Sequence, residues 1–258
     1  MKTFHLDPLA IAKKIIKIER LLKFKFRRKF GLVDRQIVMK YLSQNNIRKL
    51  HIGCGSNLLQ GWLNSDYFPR STTILHLDAT QLFPFCNNEF DCIFSEHMIE
   101  HISYSQGLFM LNECFRVLKE NGTIRISTPD LSFLIDLYKD NQSDLQREYI
   151  KRATDRYIKD APYYDAVFVI NNFVRNWGHQ FIYNEKILRS SLEKAGFTSI
   201  TKCALNQSEV DSLRNLENIK RMPQEFLRLE TITMEGRKLV DMKEFDNQTY
   251  KPRLCDMR

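Results

Sequence analysis

The sequence predicts an α/β fold built on a parallel sheet. From Arg48 onward, short apolar runs alternate with stretches of helical periodicity, which is typical of strands separated by crossover helices. The first run ends in a glycine-containing turn, and acidic residues follow the next two runs. The chain has 258 residues, of which 43% are hydrophobic and 27% charged, so it can bury a large core and is not of the disordered or collagen-like class. We expect one α/β domain with an appendage.

The first half of this domain is expected to contain five strands, over residues 49–52, 62–65, 73–77, 90–94 and 123–127. The second strand delivers Asp66 at its end and the third delivers Asp78. A helix over about residues 106–119 is expected to end at the turn pair Asn121 and Gly122.

The second half begins with a helical, tyrosine-rich stretch over residues 131–175, which interrupts the alternation. Asn184 is suited to cap a further helix, and Gly196 closes that helix. A sixth strand is predicted over residues 197–204. The segment FLRLETITMEG, near residues 225–235, has alternating apolar residues and is predicted to be the last extended segment.

The positive charge of the chain is concentrated in one segment near its N-terminus. The formal net charge is +8, and residues 13–29 contain nine basic residues and one acid, while the remaining 30 basic and 30 acidic residues cancel. Apolar residues of this segment recur at helical spacing; they are Ile11, Ile15, Ile18, Leu22 and Phe26. Two interpretations stay open: a basic amphipathic helix that contacts an anionic membrane, or a terminal helix that packs on the domain. Nucleic acid is not expected as a partner.

The cysteines and the apolar runs indicate in which cellular compartment the protein is expected. Six cysteines are scattered without a CxxC pair, which favours a reducing environment. Lysines interrupt every apolar run of the basic arm, which argues against a secretory signal, and no run reaches the ~18 apolar residues of a membrane span. We expect a cytoplasmic protein, peripheral at the inner face of the membrane if the arm binds lipid.

The glycine turn and the acids that follow the strands predict a nucleoside-binding site at the carboxyl edge of the sheet. The turn at Gly53 and Gly55 lets a ligand lie against bare backbone. Asp66 is placed to accept hydrogen bonds from ribose hydroxyls, and Asp78 is placed to accept a hydrogen bond from the exocyclic amine of an adenine. Position 58 is leucine rather than the third glycine of the dinucleotide fingerprint, and no Lys or Arg lies between Gly53 and Asp66. An adenosine cofactor without phosphates fits best, and S-adenosylmethionine is the obvious one.

Several motifs occur in the order found in one family: KLHIGCGSN, GWLNSD, LDAT, FDCIFSEHMIEH, NECFRVLKENG and TIRISTPDL. With these motifs the chain resembles class I S-adenosylmethionine-dependent methyltransferases, and more narrowly the small methyltransferases of bacterial surface-polysaccharide clusters. The resemblance covers roughly residues 48–238. It implies a Rossmann-like seven-stranded sheet, mostly parallel with the last strand antiparallel, flanked by helices. The short gap from Gly55 to Asp66 implies a truncated first helix.

The resemblance also implies a set of cofactor-binding residues: His51, Gly53, Cys54, Gly55, Asp66, Asp78, Ala79 and Ser95. The glycines would line the methionine moiety. Asp66 would bind the ribose hydroxyls, and Asp78 with Ala79 would bind the adenine. Ser95 would be a main-chain contact near the sulfonium. The chain departs from the family at His51, which replaces the acid usual near the end of the first strand.

Three residues are candidates for the chemistry at an acceptor hydroxyl. His97 follows the fourth strand and is the preferred general base, and His179, in NWGHQF, is its main competitor. Asp130 follows the fifth strand, and it either orients a histidine or the acceptor, or caps the next helix. The pattern H-x-x-E-H that begins at His97 is also a metal-binding spacing. No further ligand is evident, and the resembled family places its cofactor there, so we predict no metal.

The sequence thus favours an S-adenosylmethionine-dependent methyltransferase that acts on an acceptor hydroxyl of a sugar or surface-glycan precursor. Two alternatives stay open: a methyltransferase of another small metabolite or lipid, and a non-catalytic module that binds the cofactor. The predicted organisation is a basic arm over residues 1–30 and a methyltransferase domain over residues 31–258, with a helical lid over about residues 131–180. Tyrosines and other aromatic residues of the lid suit a sugar ring.

Overall fold

The computed structural model describes residues 32–239, so the predicted basic arm lies outside the described residues. The described strands are β1 (Lys49–Ile52), β2 (Leu63–Asp66), β3 (Leu75–His76), β4 (Phe90–Glu96), β5 (Leu118–Pro129), β6 (Thr198–Cys203) and β7 (Thr231–Arg237). The described α-helices are α1 (Leu32–Gln44), α2 (Tyr104–Val117), α3 (Leu131–Leu137), α4 (Asp144–Tyr157), α5 (Ala166–Arg175), α6 (Glu185–Lys194) and α7 (Gln224–Glu230). None of these helices is long and apolar enough to span a membrane.

The seven strands form one sheet in the order β3-β2-β1-β4-β5-β7-β6. The pairs from β3 across to β5 are parallel, whereas β7 runs antiparallel to both β5 and β6. The predicted seven-stranded, Rossmann-like sheet with an antiparallel last strand is therefore confirmed. Because the strand order reverses between β1 and β4, the carboxyl ends of these two strands open onto one crevice.

The main apolar core lies between the sheet and its flanking helices. Strand residues such as Leu50 and Ile93 are fully buried there, against Leu111 of α2 and Leu188 of α6. The crossover from β1 to β2 contains turns and no helix, in agreement with the short gap between Gly55 and Asp66. The chain therefore reaches the second strand with the glycine turn lying open at the sheet edge.

Helices α3, α4 and α5 form an insertion between β5 and α6, where the sequence predicts a helical stretch. The insertion has an apolar cluster of its own, which includes Phe133, Val169 and Phe173. Side-chain caps fix its helix starts, because Ser143 and Gln146 form a capping box at α4 and Asp165 caps α5. We call these three helices the lid.

The prediction for the segment FLRLETITMEG was partly wrong. Residues 226–230 belong to α7, and only the part from Thr231 onward forms β7. Pro223 provides the start of this helix, and Phe226 with the neighbouring Leu229 packs on the lid cluster, so tertiary contacts outweigh the alternating pattern. The turn pair Asn121 and Gly122 lies within β5 rather than at the end of α2, and Asn121 has a φ of 62°.

A buried arginine ties the antiparallel end of the sheet to the loop that precedes α7. Arg125 of β5 is fully buried, and its guanidinium donates to Glu217 and Glu235, each at 2.6 Å. It also donates to the carbonyl of Gln207 at 2.8 Å. A buried charge is tolerated when it is paired and hydrogen-bonded in this way.

Candidate functional site

The turn after β1 places two glycines at the crevice. Gly53 and Gly55 have φ values of 72° and 51°, which glycine adopts at little steric cost. A Cβ atom on Gly53 would lie 2.4 Å from Cγ of Met98, so no larger residue fits against that segment. The glycine turn therefore packs directly on the residues that follow β4.

Asp66, at the end of β2, holds this turn in place. Its Oδ2 atom accepts a hydrogen bond from the Gly55 amide at 2.8 Å, and its Oδ1 atom accepts from the Phe68 amide at 2.7 Å. Each carboxylate oxygen has a further lone pair. Asp66 can therefore accept hydroxyls of a bound ribose while it keeps both backbone contacts.

Asp78 lies two residues after β3, which is shorter than the strand predicted over residues 73–77. Its Oδ1 atom accepts hydrogen bonds from the amide and the hydroxyl of Thr80, at 2.9 and 2.7 Å. Ala79 between them is buried. The carboxylate therefore fixes the loop that the resemblance assigns to the adenine.

Ser95 and Cys54 lie deeper at the same edge. Ser95 is 1% exposed, and its hydroxyl has no hydrogen-bond partner among the described residues, which leaves a polar atom for a ligand to satisfy. The Cys54 amide donates to the carbonyl of Ser65, and burial raises the pKa of its thiol to about 12. The orphaned hydroxyl and the bare glycine turn fit the predicted cofactor, with Cys54 contributing backbone rather than a reactive thiol.

The structure places His51 differently from the cofactor-binding role expected of it. The imidazole is 1% exposed and packs on Phe94, with ring centroids 5.1 Å apart, and on Trp62. Its Nδ1 atom lies 3.1 Å from Oδ1 of Asn64. Burial lowers the pKa of His51 to about 4, so the ring is neutral and belongs to the core.

A cavity of about 230 Å³ opens between the ends of β4 and β5 and the lid. Its lining combines histidines, carboxylates and aromatic rings; among these residues are His97, Glu100, Tyr149, Trp177, His179 and Arg221. Met98, against which Gly53 packs, is the chain neighbour of the cavity residue His97, so the glycine turn packs on the segment that also lines the cavity. We call it the acceptor cavity.

His97 enters the acceptor cavity directly after β4. Its backbone has a φ of 47°, and its amide donates to the carbonyl of Ser127 at 2.8 Å. The Nε2 atom contacts the guanidinium of Arg221, and the Nδ1 atom lies 3.2 Å from Oε1 of Glu100. Because arginine offers only donors, Nε2 accepts this contact and carries a lone pair, while Nδ1 carries the proton.

Glu100 lies beneath His97 and is fully buried. Its Oε2 atom accepts a hydrogen bond from the Thr128 hydroxyl at 3.0 Å. Burial by itself would raise the pKa of Glu100, but contact with His97 and the proximity of His101 outweigh burial and lower the pKa. The side chain is therefore a carboxylate in the floor of the cavity.

His179 lies in the loop between α5 and α6 and lines the same cavity as His97 and Glu100. Its Nδ1 atom lies 2.6 Å from the carbonyl of Phe173, and its ring centroid lies 4.9 Å from that of His101. Burial lowers the pKa of His179, which favours the neutral ring. Donor atoms of Glu100, His101 and His179 all lie within 4.8 Å of one another. The further ligand that the sequence lacked is thus present in space, so that reason for excluding a metal does not hold.

Asp130 has the helix-capping role that the sequence offers as one of its alternatives. Its side chain caps α3 by accepting from the Ser132 amide at 2.8 Å, and its own amide donates to the carbonyl of Glu230. Asp130 thus fixes the start of the lid, and its carboxylate orients neither histidine.

Sequence reasoning missed a second polar group in the cavity. The guanidinium of Arg221 lies 3.3 Å from Oε1 of Glu230, and the Tyr149 hydroxyl donates to the other oxygen of that carboxylate. These residues come from the loop before α7, from α7 and from the lid. No spacing in the sequence signals their contact, which arises when the lid packs on α7.

Comparison with known proteins indicates a class for this domain. Residues 64–126 match the family model of a methyltransferase domain. The matched segment runs from β2 into β5 and contains Asp66, Asp78, Ser95 and His97. This match supports the predicted cofactor, S-adenosylmethionine. No curated protein matches the chain.

Solved structures similar to the chain include three from different organisms. A SAM-dependent methyltransferase from Archaeoglobus fulgidus is 15% identical, with a TM-score of 0.45, over 84% of this chain and 99% of that one. A possible histamine N-methyltransferase from Thermotoga maritima is 17% identical, with a TM-score of 0.41, over 86% and 99%. Phosphoethanolamine N-methyltransferase 2 from Haemonchus contortus is 14% identical, with a TM-score of 0.41, over 80% and 52%.

Proposed function

We propose that this protein is an S-adenosylmethionine-dependent methyltransferase that acts on an acceptor hydroxyl of a sugar or surface-glycan precursor. The observation that supports the proposal is the close packing of Gly53 on Met98, the chain neighbour of His97, because it joins the glycine turn to the segment that lines the cavity. The bound cofactor supplies a methyl group on a sulfonium, already activated for displacement. The protein therefore has to hold the acceptor in line and to receive its proton.

His97 is the group best placed to receive that proton. Its Nε2 atom faces Arg221 in the cavity as an acceptor, and a substrate hydroxyl that displaces the guanidinium meets the same lone pair. Glu100 stabilises the imidazolium that results, because its carboxylate lies 3.2 Å from Nδ1. General base assistance of this kind contributes typically ~10²–10⁴-fold, and alignment of donor and acceptor contributes more.

The lining of the cavity supports an acceptor with a ring and several hydroxyls. Tyr157 and Phe173 of the lid and Trp177 of the loop after it contribute aromatic rings to the lining, together with carboxylates and imidazoles. The narrower resemblance to enzymes of polysaccharide clusters favours a glycan. Another small metabolite or a lipid is the alternative acceptor; the discriminating result is saturation by an apolar acceptor where sugar nucleotides have no effect.

The cofactor assignment is tested by calorimetric titration with S-adenosylhomocysteine. We expect micromolar binding to the wild type and loss of binding in Asp78→Ala. Thr80→Val is the matched control, because it removes one hydrogen bond to Asp78 and keeps the carboxylate, so it should bind as the wild type does. A wild-type protein that does not bind this ligand would contradict the proposal.

The proton acceptor is tested by turnover with a panel of sugar nucleotides and glycans. His97→Ala should bind S-adenosylhomocysteine normally and lose about two orders of magnitude in turnover. Full turnover in His97→Ala together with loss in His179→Ala would move the role to His179. Cofactor binding without transfer to any acceptor class would favour the non-catalytic alternative.

A further inference from the structure

The floor of the acceptor cavity contains a cluster of metal-ligand type. Glu100, His101 and His179 offer one donor atom each, and these atoms lie within 4.8 Å of one another. We propose that the three side chains bind a divalent transition-metal cation, and that this cation holds the acceptor oxygen beside His97. The second part rests on the proposed function, whereas metal binding itself does not.

Glu100 provides the observation that points to a ligand. The residue is fully buried, and its Oε1 atom has no hydrogen-bond donor among the described residues. The Nδ1 atom of His97 lies 3.2 Å from Oε1, without the alignment of a hydrogen bond. A buried carboxylate oxygen without such a partner is costly, and a cation removes this cost. The Thr128 hydroxyl holds the other oxygen, as is usual for a carboxylate ligand.

The imidazole of His179 is held as a metal ligand usually is. A ligating histidine commonly donates its second ring N–H to a carbonyl, and Nδ1 of His179 lies 2.6 Å from the carbonyl of Phe173. This contact leaves Nε2 of His179 unprotonated. Backbone contacts fix the two histidines relative to each other, because Gln180 donates its amide to the Glu100 carbonyl and its side chain to the His101 carbonyl, each at 2.8 Å.

The donor set indicates the class of cation. Two imidazole nitrogens and one carboxylate oxygen suit Zn²⁺, Mn²⁺, Fe²⁺ or Co²⁺ better than Ca²⁺ or Mg²⁺, which prefer oxygen ligands. Ligands that share such an ion at about 2.1 Å lie about 3.4 Å apart in a tetrahedral site, so each side chain needs to move by less than about 1 Å. Three protein ligands also leave coordination positions open for an acceptor oxygen.

A cation bound at this cluster is compatible with His97 as the proton acceptor. Bound to the cation, an acceptor hydroxyl loses its proton more readily, and His97 is the adjacent group that receives the proton. His179 then serves as a ligand, which separates the two histidines that the sequence left in competition. Loss of turnover in His179→Ala is consequently expected to accompany loss of metal.

Metal binding is tested on the full chain after treatment with a chelator, by titration with Co²⁺ and with equilibrium dialysis. The wild type should bind one equivalent and develop visible d–d bands, without the strong near-ultraviolet band of a cobalt–thiolate bond. His101→Ala, His179→Ala and Glu100→Gln should each bind at least about tenfold more weakly. His76→Gln is the control, because β3 lies away from the cavity.

Two results would overturn the metal site: a wild type that binds Co²⁺ no more tightly than His101→Ala, or tight binding that survives in all three variants. Circular dichroism shows whether each variant is folded, and Glu100→Gln keeps the size of the side chain if an alanine variant is not. A chelated wild type that still binds S-adenosylhomocysteine, and regains lost turnover with Co²⁺, would support both proposals. Turnover unchanged by chelation, in a protein without Co²⁺ binding, would overturn the metal and leave the methyltransferase proposal standing.

Discussion

His51 shows how one residue can occupy a motif position and serve the core. It stands where the resembled family has an acid, yet its ring packs with Phe94 and Trp62 in a cluster of three rings, and its Nδ1 atom contacts Asn64. These neighbours come from two strands, β2 and β4, and from the turn before β2, so the ring contributes to packing on this face of the sheet. A charged imidazole would have to be buried there at high cost.

This burial predicts a pH dependence of stability. The folded pKa of about 4 lies below the ordinary value of 6.5, so the unfolded chain takes up the proton first as the pH falls. The contribution is fully present above pH 6.5 and is lost as the pH falls towards 4, by about 3 kcal/mol in total.

The experiment compares the wild type with His51→Phe, which keeps a ring against Phe94. Urea unfolding at intervals between pH 7 and pH 4 should show a steeper loss of unfolding free energy in the wild type. Parallel curves for the two proteins would mean that His51 does not contribute this dependence.

At the scale of elements, the lid is attached to the domain through a polar chain as well as an apolar cluster. Tyr149 of α4 donates to Glu230 of α7, and Glu230 pairs with Arg221. Burial and the carboxylate raise the pKa of Tyr149 well above its ordinary value, so the phenol keeps its proton and donates. Arg221 also contacts His97, so this series of polar contacts links the lid to the acceptor cavity. The packing of the lid and the shape of the cavity therefore depend on each other.

Tyr149→Phe should therefore loosen the lid. The change removes a buried hydrogen bond to a charged group, and we expect a loss of about 2 kcal/mol in unfolding free energy with faster amide exchange in α4. Tyr164→Phe is the matched control, because the Tyr164 hydroxyl bonds Asp155 at the exposed surface, and little change is expected. Equal effects of the two substitutions would show that the buried contact does not attach the lid.

The elements also show what the sequence could and could not predict. Local patterns suffice to predict that Asp66 and Asp78 lie at one edge of the sheet, because each lies at or just after the end of a parallel strand and parallel strands end at one edge. The sequence predicts strand at residues 226–230, where the structure has helix, because the apolar residues fit the periodicity of a strand as well as that of a helix. Packing against the lid stabilises the helix. The ion pairs of Arg125 and the contact of His101 with His179 join residues far apart in the chain, and no local pattern carries them.

At the scale of the molecule, charge is separated from the proposed chemistry. Residues 13–29 carry nine basic residues and one acid, whereas the rest of the chain is neutral. The crevice that we propose as the binding site of cofactor and acceptor needs no basic surface. We propose that the arm, which lies outside the described residues, contacts an anionic membrane and brings the domain to a lipid-linked acceptor.

This proposal predicts that removal of residues 1–30 abolishes sedimentation with vesicles that contain anionic lipid and leaves affinity for S-adenosylhomocysteine unchanged. Each basic residue near such a surface contributes about 1 kcal/mol, so glutamine at Lys13, Lys14, Lys17 and Lys23 should weaken partitioning by about two to three orders of magnitude while keeping the apolar stripe. Binding should also fall as salt is raised, because salt screens exposed charges. A truncated chain that still sediments would discard the membrane role, and the arm would then be expected to pack on the domain.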